Sequence, residues 1–489
     1  MIVPTVVLAV RAGLHPVGPW GDQAVIEVDT RLAAGLHQMV GPYSRFGWSH
    51  PGPVYFYLLA PLWRLFGSGQ AALAAASVVL TGAFGLLAVA LAGRLGGRTL
   101  ARWAAALVAA QLAALGAATV ALVWNPVAVV VPASAFLVAC AGLSVGRWWM
   151  LAPAVAVGSF LVQTDLSTGL VVAAVAVVAL ASGTWAGRGA VAAGARPGGR
   201  RRAGPAMAAA VVVAGLAWAA PVAQQVSAAS GNLGRVLGFF RSTSGRHPLA
   251  SAASAVGDAL WPPLRGHLLS GPRPAPSSRA EALVAVLVLL GLATAALGWR
   301  RGRPVGAALA GTSVVTLAAG VVSAVRAFGP LFGYLTEWMT AAEVTLALAV
   351  VVILIPDRLR LGGLAALIGA AAATVVLGTG ALPTAPGGAD VAGLWSALRP
   401  GLPSPGAAVQ VEVASADRWP WAAGLVDELA AHRYRPAVAS DWTFLFAGAY
   451  PPDRAPGTAT LVVWHAGPGA APGGRLVARA GPTWVYLSG

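Results

Sequence analysis

Runs of about 20 apolar residues recur along this chain, the length a helix needs to cross roughly 30 Å of hydrocarbon. They fall at 69–93, 101–122, 127–145, 148–163, 168–187, 206–224, 282–299, 304–325, 338–355 and 361–381. Ahead of them stands MIVPTVVLAV, too short to span and without the basic start and small-residue cleavage site of a signal peptide. It reads as the outer part of a first span, which makes eleven. Charged residues are 10% of the chain, against about 25% in soluble domains. The sequence therefore predicts an α-helical polytopic membrane protein.

The net charge of +16 would suggest nucleic acid in a soluble protein. Here the placement of the charge accounts for it, and no nucleic-acid partner is expected. All 32 basic residues are arginine, a base-composition bias that suits a GC-rich bacterium. Fourteen of them sit in short connections: Arg94, Arg98 and Arg102; Arg147; Arg188, Arg196 and Arg200 to Arg202; Arg300, Arg301 and Arg303; Arg358 and Arg360. Asp357 is the one acid among them. These clusters occupy every second connection, so the positive-inside rule makes those connections cytoplasmic. The run 194–205, GARPGGRRRAGP, reads as a flexible basic inner loop near anionic headgroups. Residues 12–68, 123–126, 164–167, 225–281, 326–337 and everything after 382 then face outside. Cys140 is the one cysteine, which excludes an internal disulfide.

Past the linker TAPGGAD the character changes. VQVEVAS, RPAVAS, ATLVVWHA and RLVARAGPTWVYL alternate like strands, and RWPWAAGLVDELAAHRY reads as an amphipathic helix. Residues 390–489 are thus expected to form a small extracytoplasmic α/β domain beside a transmembrane domain, 1–385.

The first outer loop is long and dense in polar and aromatic residues. In GDQAVIEVDTRLAAGLHQMVG, Val25, Val28, Leu32, Leu36 and Met39 recur at helical spacing, which predicts an amphipathic helix lying on the membrane surface. Asp22 heads it, Asp29 shares its face and Glu27 points elsewhere. Asp22 reads equally as an N-cap. HPGP then leads into a second short helix, YFYLLAPLWRLF. Other outer loops add Trp124 and Asn125; Gln163 and Asp165; Gln224, Gln225 and Asn232; and Arg326, Tyr334, Glu337 and Trp338. Each reads also as a span-end cap or an interfacial anchor. Glu343 lies inside a span, where an ionisable group defaults to a functional role.

The order of these features resembles the GT-C superfamily of membrane glycosyltransferases, most of all the family-39-like group of protein O-mannosyltransferases and lipid A aminoarabinose transferases. GDQAVIE (21–27) and HPGPVYFYLLAPLWRLFG (50–67) carry the resemblance; WNP (124–126), QTDL (163–166) and PVAQQVSAASGNL (221–233) are similar to bacterial members. Where the family has Asp-Glu at the head of the first loop this chain has Asp22-Gln23, so a second carboxylate would come from Asp165 or Glu27. His50 replaces the family's lysine.

The resemblance implies a polyprenyl-phosphate sugar donor and a glycan, lipid or protein acceptor at the outer face of the bilayer. Asp22 would be the general base, with Asp165 as a second catalytic carboxylate. Arg45, His50 and Arg326 would face the leaving phosphate, although Arg45 suits a headgroup equally. Tyr43, Trp48 and Tyr334 would stack on sugar or anchor in the interface. Glu27, Asn125, Gln163 and Glu337 complete the expected binding set. No cofactor is required, and a divalent cation stays open because no spacing of His and carboxylates argues for one. Two other classes compete: a transporter of lipid-linked glycan, disfavoured by spans nearly free of charge, and a catalytically inactive scaffold that binds glycan through its outer domain.

Overall fold

The computed structural model describes residues 1–192, 198–228, 230–243, 245–260, 276–355, 361–453, 458–465 and 472–488. Arg196, Asp357, Arg358 and Arg360 lie outside them, as do the side chains of Arg188 and of Arg200 to Arg202. The chain is mainly helical and divides into two compact units, one of residues 1–9 and 77–381, the other of residues 10–76 and 382–489.

In the first unit the expected spans appear as helices. Eight helices among the described residues are long and apolar enough to cross a membrane, with Ile2–Gly13 and Trp148–Thr164 as shorter apolar helices. The apolar run Gln70–Val120 bends at Gly96 and Gly97. Gly97 takes φ +74°, ψ −169°, a conformation reserved for glycine, so the run makes two helices as expected. The basic run at 194–205 departs from expectation: helix begins at Gly198, so its second half is regular backbone. Apolar surface is placed as lipid requires. The window in Asn125–Ser144 is 94% buried, a central helix, whereas that in Ala203–Ser227 is 11% buried, with Leu216 and Val226 pointing outward.

Close helix packing in this unit rests on small residues, as in membrane bundles generally. Ser278–Arg300, Pro304–Val325 and Glu337–Leu354 pack together, and Ser313 Oγ donates to Ala342 O at 2.8 Å. A Cβ on Gly306 would come within 2.6 Å of Ile353 Cγ1. Gly306→Leu is therefore expected to destabilise the unit by about 1–3 kcal/mol, read as a lower unfolding midpoint in detergent. An unchanged midpoint would mean that these helices do not meet there.

Hydrogen bonds tie connections together in two sets. In one, Arg301 and Arg303 donate to Ile353 O at 3.2 Å and Val352 O at 3.0 Å, satisfying carbonyls at a helix C-terminus. In the other, Asn125 Nδ2 donates to Thr164 O at 3.2 Å, Ser323 Oγ to Ser167 O at 3.3 Å and Thr336 Oγ1 to Ala255 O at 3.1 Å.

The second unit holds a five-stranded sheet of β1 (Ala408–Val413), β2 (Arg435–Val438), β3 (Ala459–His465), β4 (Arg475–Ala480) and β5 (Thr483–Ser488). Its order is β2-β1-β3-β5-β4. β1 runs parallel to β2 and β3, and β5 antiparallel to β3 and β4. The helix Trp419–Ala431 connects β1 to β2, as a parallel pair demands. Val409, Val411, Leu461, Val463 and Val485, alternate residues on one sheet face, are fully buried.

Ala24, Val25 and Val28 of the first-loop helix join this same core. The loop that precedes the spans and the segment that follows them thus fold as one body. This corrects the expectation of a helix lying on the membrane surface: its apolar stripe is buried against protein. The helix is also shorter, Gly21–Ala34. Leu36 stands beyond it in the left-handed region, φ +63°, and is 77% exposed.

Candidate functional site

The residues of GPYSRFGWSH form a small antiparallel ribbon. Gly41 N donates to His50 O at 2.9 Å, His50 N to Pro42 O at 2.8 Å and Ser44 N to Trp48 O at 2.8 Å. Tyr43 pairs with Ser49. The ribbon reverses at Gly47, φ +78°, where glycine is the favoured residue. Pro51 and Pro53 then lead into the helix Val54–Leu65. Its Tyr57 hydroxyl donates to Gln38 O at 2.9 Å and so ties this helix to the segment that follows the first one.

The ribbon delivers the Tyr43 hydroxyl to Asp22, where it donates to Oδ1. Trp419 and Phe444 hold the Tyr43 ring edge-on, with centroids 6.2 and 6.0 Å away. Asp22 is not the N-cap. Trp20 takes that position, and Asp22 sits half-buried in the first turn, where the helix N-terminus favours a carboxylate. Along the ribbon Arg45 lies over the Phe46 ring at 5.0 Å, Phe46 stacks on Trp48 at 6.3 Å, and Trp48 meets His50 edge-on at 5.5 Å. Arg45 is exposed; Trp48 and His50 are buried.

Glu27 belongs elsewhere. Five positions after Asp22, it is rotated from it by roughly 140° about the helix axis. Its Oε1 accepts from Arg31 Nη2 at 3.2 Å and its Oε2 from Gln70 Nε2 at 2.6 Å. The same Arg31 nitrogen donates to Asp427 Oδ1 at 2.8 Å. Glu27 and Asp427 are both buried. Burial pushes the Glu27 carboxyl well above the usual range, and the neighbouring Asp427 adds to the rise. Burial also raises Asp427, against the pull of Arg31. Arg31 lies closer to Asp427 than to Glu27. Asp29, seven positions after Asp22 and so on nearly the same side of the helix, is buried with Oδ1 unpartnered among the described residues, and burial pushes its carboxyl well up.

In the helical unit, Asp165 stands between Leu151–Thr164 and the turn that follows, and accepts from Ser167 N at 2.9 Å. These are a cap's contacts. Gln163 is buried and donates to Ala217 O at 2.9 Å. Asn125 holds the adjoining Thr164 carbonyl. Trp124 and Tyr334 meet at 5.0 Å, and Phe332 stacks on Tyr334 at 5.4 Å. Glu337 is buried in the turn just beyond, and Arg326 is exposed at the end of Pro304–Val325. The structure thus brings Asn125, Gln163 and Asp165 to one corner, and Trp124 to Tyr334.

The chain is similar to ArnT from Cupriavidus metallidurans. Against its apo structure the identity is 14% and the TM-score 0.41, over 99% of this chain and 97% of that one. Against the structure bound to undecaprenyl phosphate the values are 15% and 0.38, over 99% and 96%. No family model and no curated protein matches the chain.

Among the described residues no three of His, Cys, Asp and Glu stand together as a metal-ligand set. The sequence reading missed Trp419, Phe444 and Asp427. Nothing in the first loop signals them, because they lie nearly 400 residues downstream of their partners; the Arg31–Asp427 separation is 396.

Proposed function

We propose that this protein is an integral-membrane glycosyltransferase that takes a sugar from a polyprenyl-phosphate donor and passes it to a glycan, lipid or protein acceptor on the extracytoplasmic side. The observation that carries the reading is Asp22, half-buried at a helix start and held by the Tyr43 hydroxyl. The Tyr43 hydroxyl, on a separate element, orients this carboxylate, as a general base requires. The acceptor hydroxyl gives its proton to Asp22 while its oxygen bonds the anomeric carbon. The bond from that carbon to the phosphate oxygen breaks, and the lipid phosphate leaves with the electron pair. Arg45 and His50, on the same ribbon as Tyr43, supply N–H donors to the departing charge. Asp165 and Asn125 hold the corner that carries Gln163, and Tyr334 and Glu337 line the adjoining turn.

The test is donor turnover. The protein in lipid nanodiscs is offered a panel of polyprenyl-phosphate sugars, with crude cell envelope as acceptor, and sugar release is followed. Release from at least one donor is expected. A protein that releases none of them is no transferase of this class.

A hydrogen bond to the ionised carboxylate favours that form. Tyr43→Phe is thus expected to move the acid limb of the kcat/KM profile to higher pH and lower turnover about tenfold, with unchanged unfolding. An unmoved acid limb would reduce Tyr43 to a packing residue.

A further inference from the structure

The sheet face opposite the buried valines carries a second collection of polar and aromatic groups. Register places Gln410 and Glu412 of β1, Thr460 and Trp464 of β3, and Trp484 and Tyr486 of β5 on it. Gln410, Glu412, Asp453, Thr458 and Thr460 line a cavity of about 200 Å³. Drug-sized ligands occupy about 300–1,000 Å³, so this space suits a single ring. Gln410 is 4% exposed. Its Oε1 accepts from Asp453 N at 3.0 Å, and its amide nitrogen has no hydrogen-bond partner among the described residues. Asp453 Oδ1 accepts from Thr458 Oγ1 at 3.4 Å, and Glu412 is exposed at the rim. Further along the face, half-buried Trp464 and Trp484 meet edge-on at 6.0 Å, and Trp464 meets Tyr486 at 6.3 Å.

We propose that this face is a glycan-binding site, with one sugar ring in the polar cavity and its neighbour against the tryptophans. Sugar hydroxyls donate and accept, so a ring needs both kinds of partner. Gln410 supplies the donor; Glu412 and Asp453 supply acceptors. The C–H faces of a pyranose are apolar and bury well on indole. Two carboxylates at the cavity disfavour an anionic ligand, which selects an uncharged chain over a uronate-rich one and separates this site from one for a lipid phosphate.

The test titrates the full-length protein in nanodiscs, by calorimetry, with mannohexaose, chitohexaose, arabinohexaose and the anionic hyaluronan hexasaccharide. Binding of at least one uncharged oligosaccharide is expected, weakened about tenfold by Glu412→Gln and similarly by Trp464→Ala. Glu412 is exposed, so its variant folds whether or not Trp464→Ala does. Binding is read with no donor present and turnover is read separately, so this site and the transfer reading stand or fall separately. The proposal is overturned if no uncharged oligosaccharide binds, if Glu412→Gln binds as tightly as wild type, or if the hyaluronan fragment binds equally.

Discussion

Asp22→Asn should abolish sugar release, lowering turnover by about 10²–10⁴-fold, the usual worth of a positioned general base. The substitution keeps the shape and still accepts from Tyr43, but it cannot take a proton from the acceptor. Folding should be spared, because Asp22 is half-buried and is not the N-cap residue. The measurement pairs donor turnover with the unfolding midpoint. Lost turnover at an unchanged midpoint places the base. Retained turnover would make Asp22 an ordinary first-turn acid and return the weight to a scaffold that binds glycan without transferring it.

The second large effect concerns stability. Asp427→Ala removes the closer of the two carboxylates around Arg31. Breaking a buried pair from one side costs about 3–5 kcal/mol, since the other charge is left without its partner. The Arg31 side chain is a quarter exposed, which favours the lower end of that range. Glu27→Gln should behave differently. Burial favours the neutral form of Glu27, so the neutral isostere should cost less than Asp427→Ala. The pH dependence follows with a definite sign. Glu27 has its folded pKa raised, so the folded state binds more protons than the unfolded one, and stability falls as pH rises above the ordinary carboxylate range. Glu27→Gln should flatten that decline. Chemical denaturation of the two variants across pH checks both statements; an Asp427→Ala protein as stable as wild type would sink the pairing.

Much of the architecture is legible in the sequence, for physical reasons that also mark where legibility stops. The spans are visible because lipid demands length and apolarity from each helix alone. The bend at Gly97 is visible because the apolar run is too long for one crossing and contains paired glycines. The five strands show through their alternation, since one sheet face is buried. The first-loop helix shows its stripe, but a stripe does not say what covers it; membrane and protein are equally apolar, and Val25 and Val28 turned out to face protein. Asp22 stands out by position. The role of Tyr43 does not, because the ribbon that aims its hydroxyl depends on register between residues six apart, Tyr43 and Ser49. Glu27 appears as a lone acid in sequence, and only the fold brings Arg31, Gln70 and Asp427 to it.

That the two ends of the membrane segment share one core sets a timetable for biogenesis. Arg31 emerges from the ribosome 396 residues before Asp427. At about 5–20 residues per second, the first loop waits roughly 20–80 s for its other half. Throughout that interval Val25 and Val28 are uncovered, as are the carboxyls of Glu27 and Asp29, while span after span is inserted. Nascent chains caught in this window would be the natural targets of chaperones and proteases, and a stop codon anywhere before β3 would strand the opening loop for good.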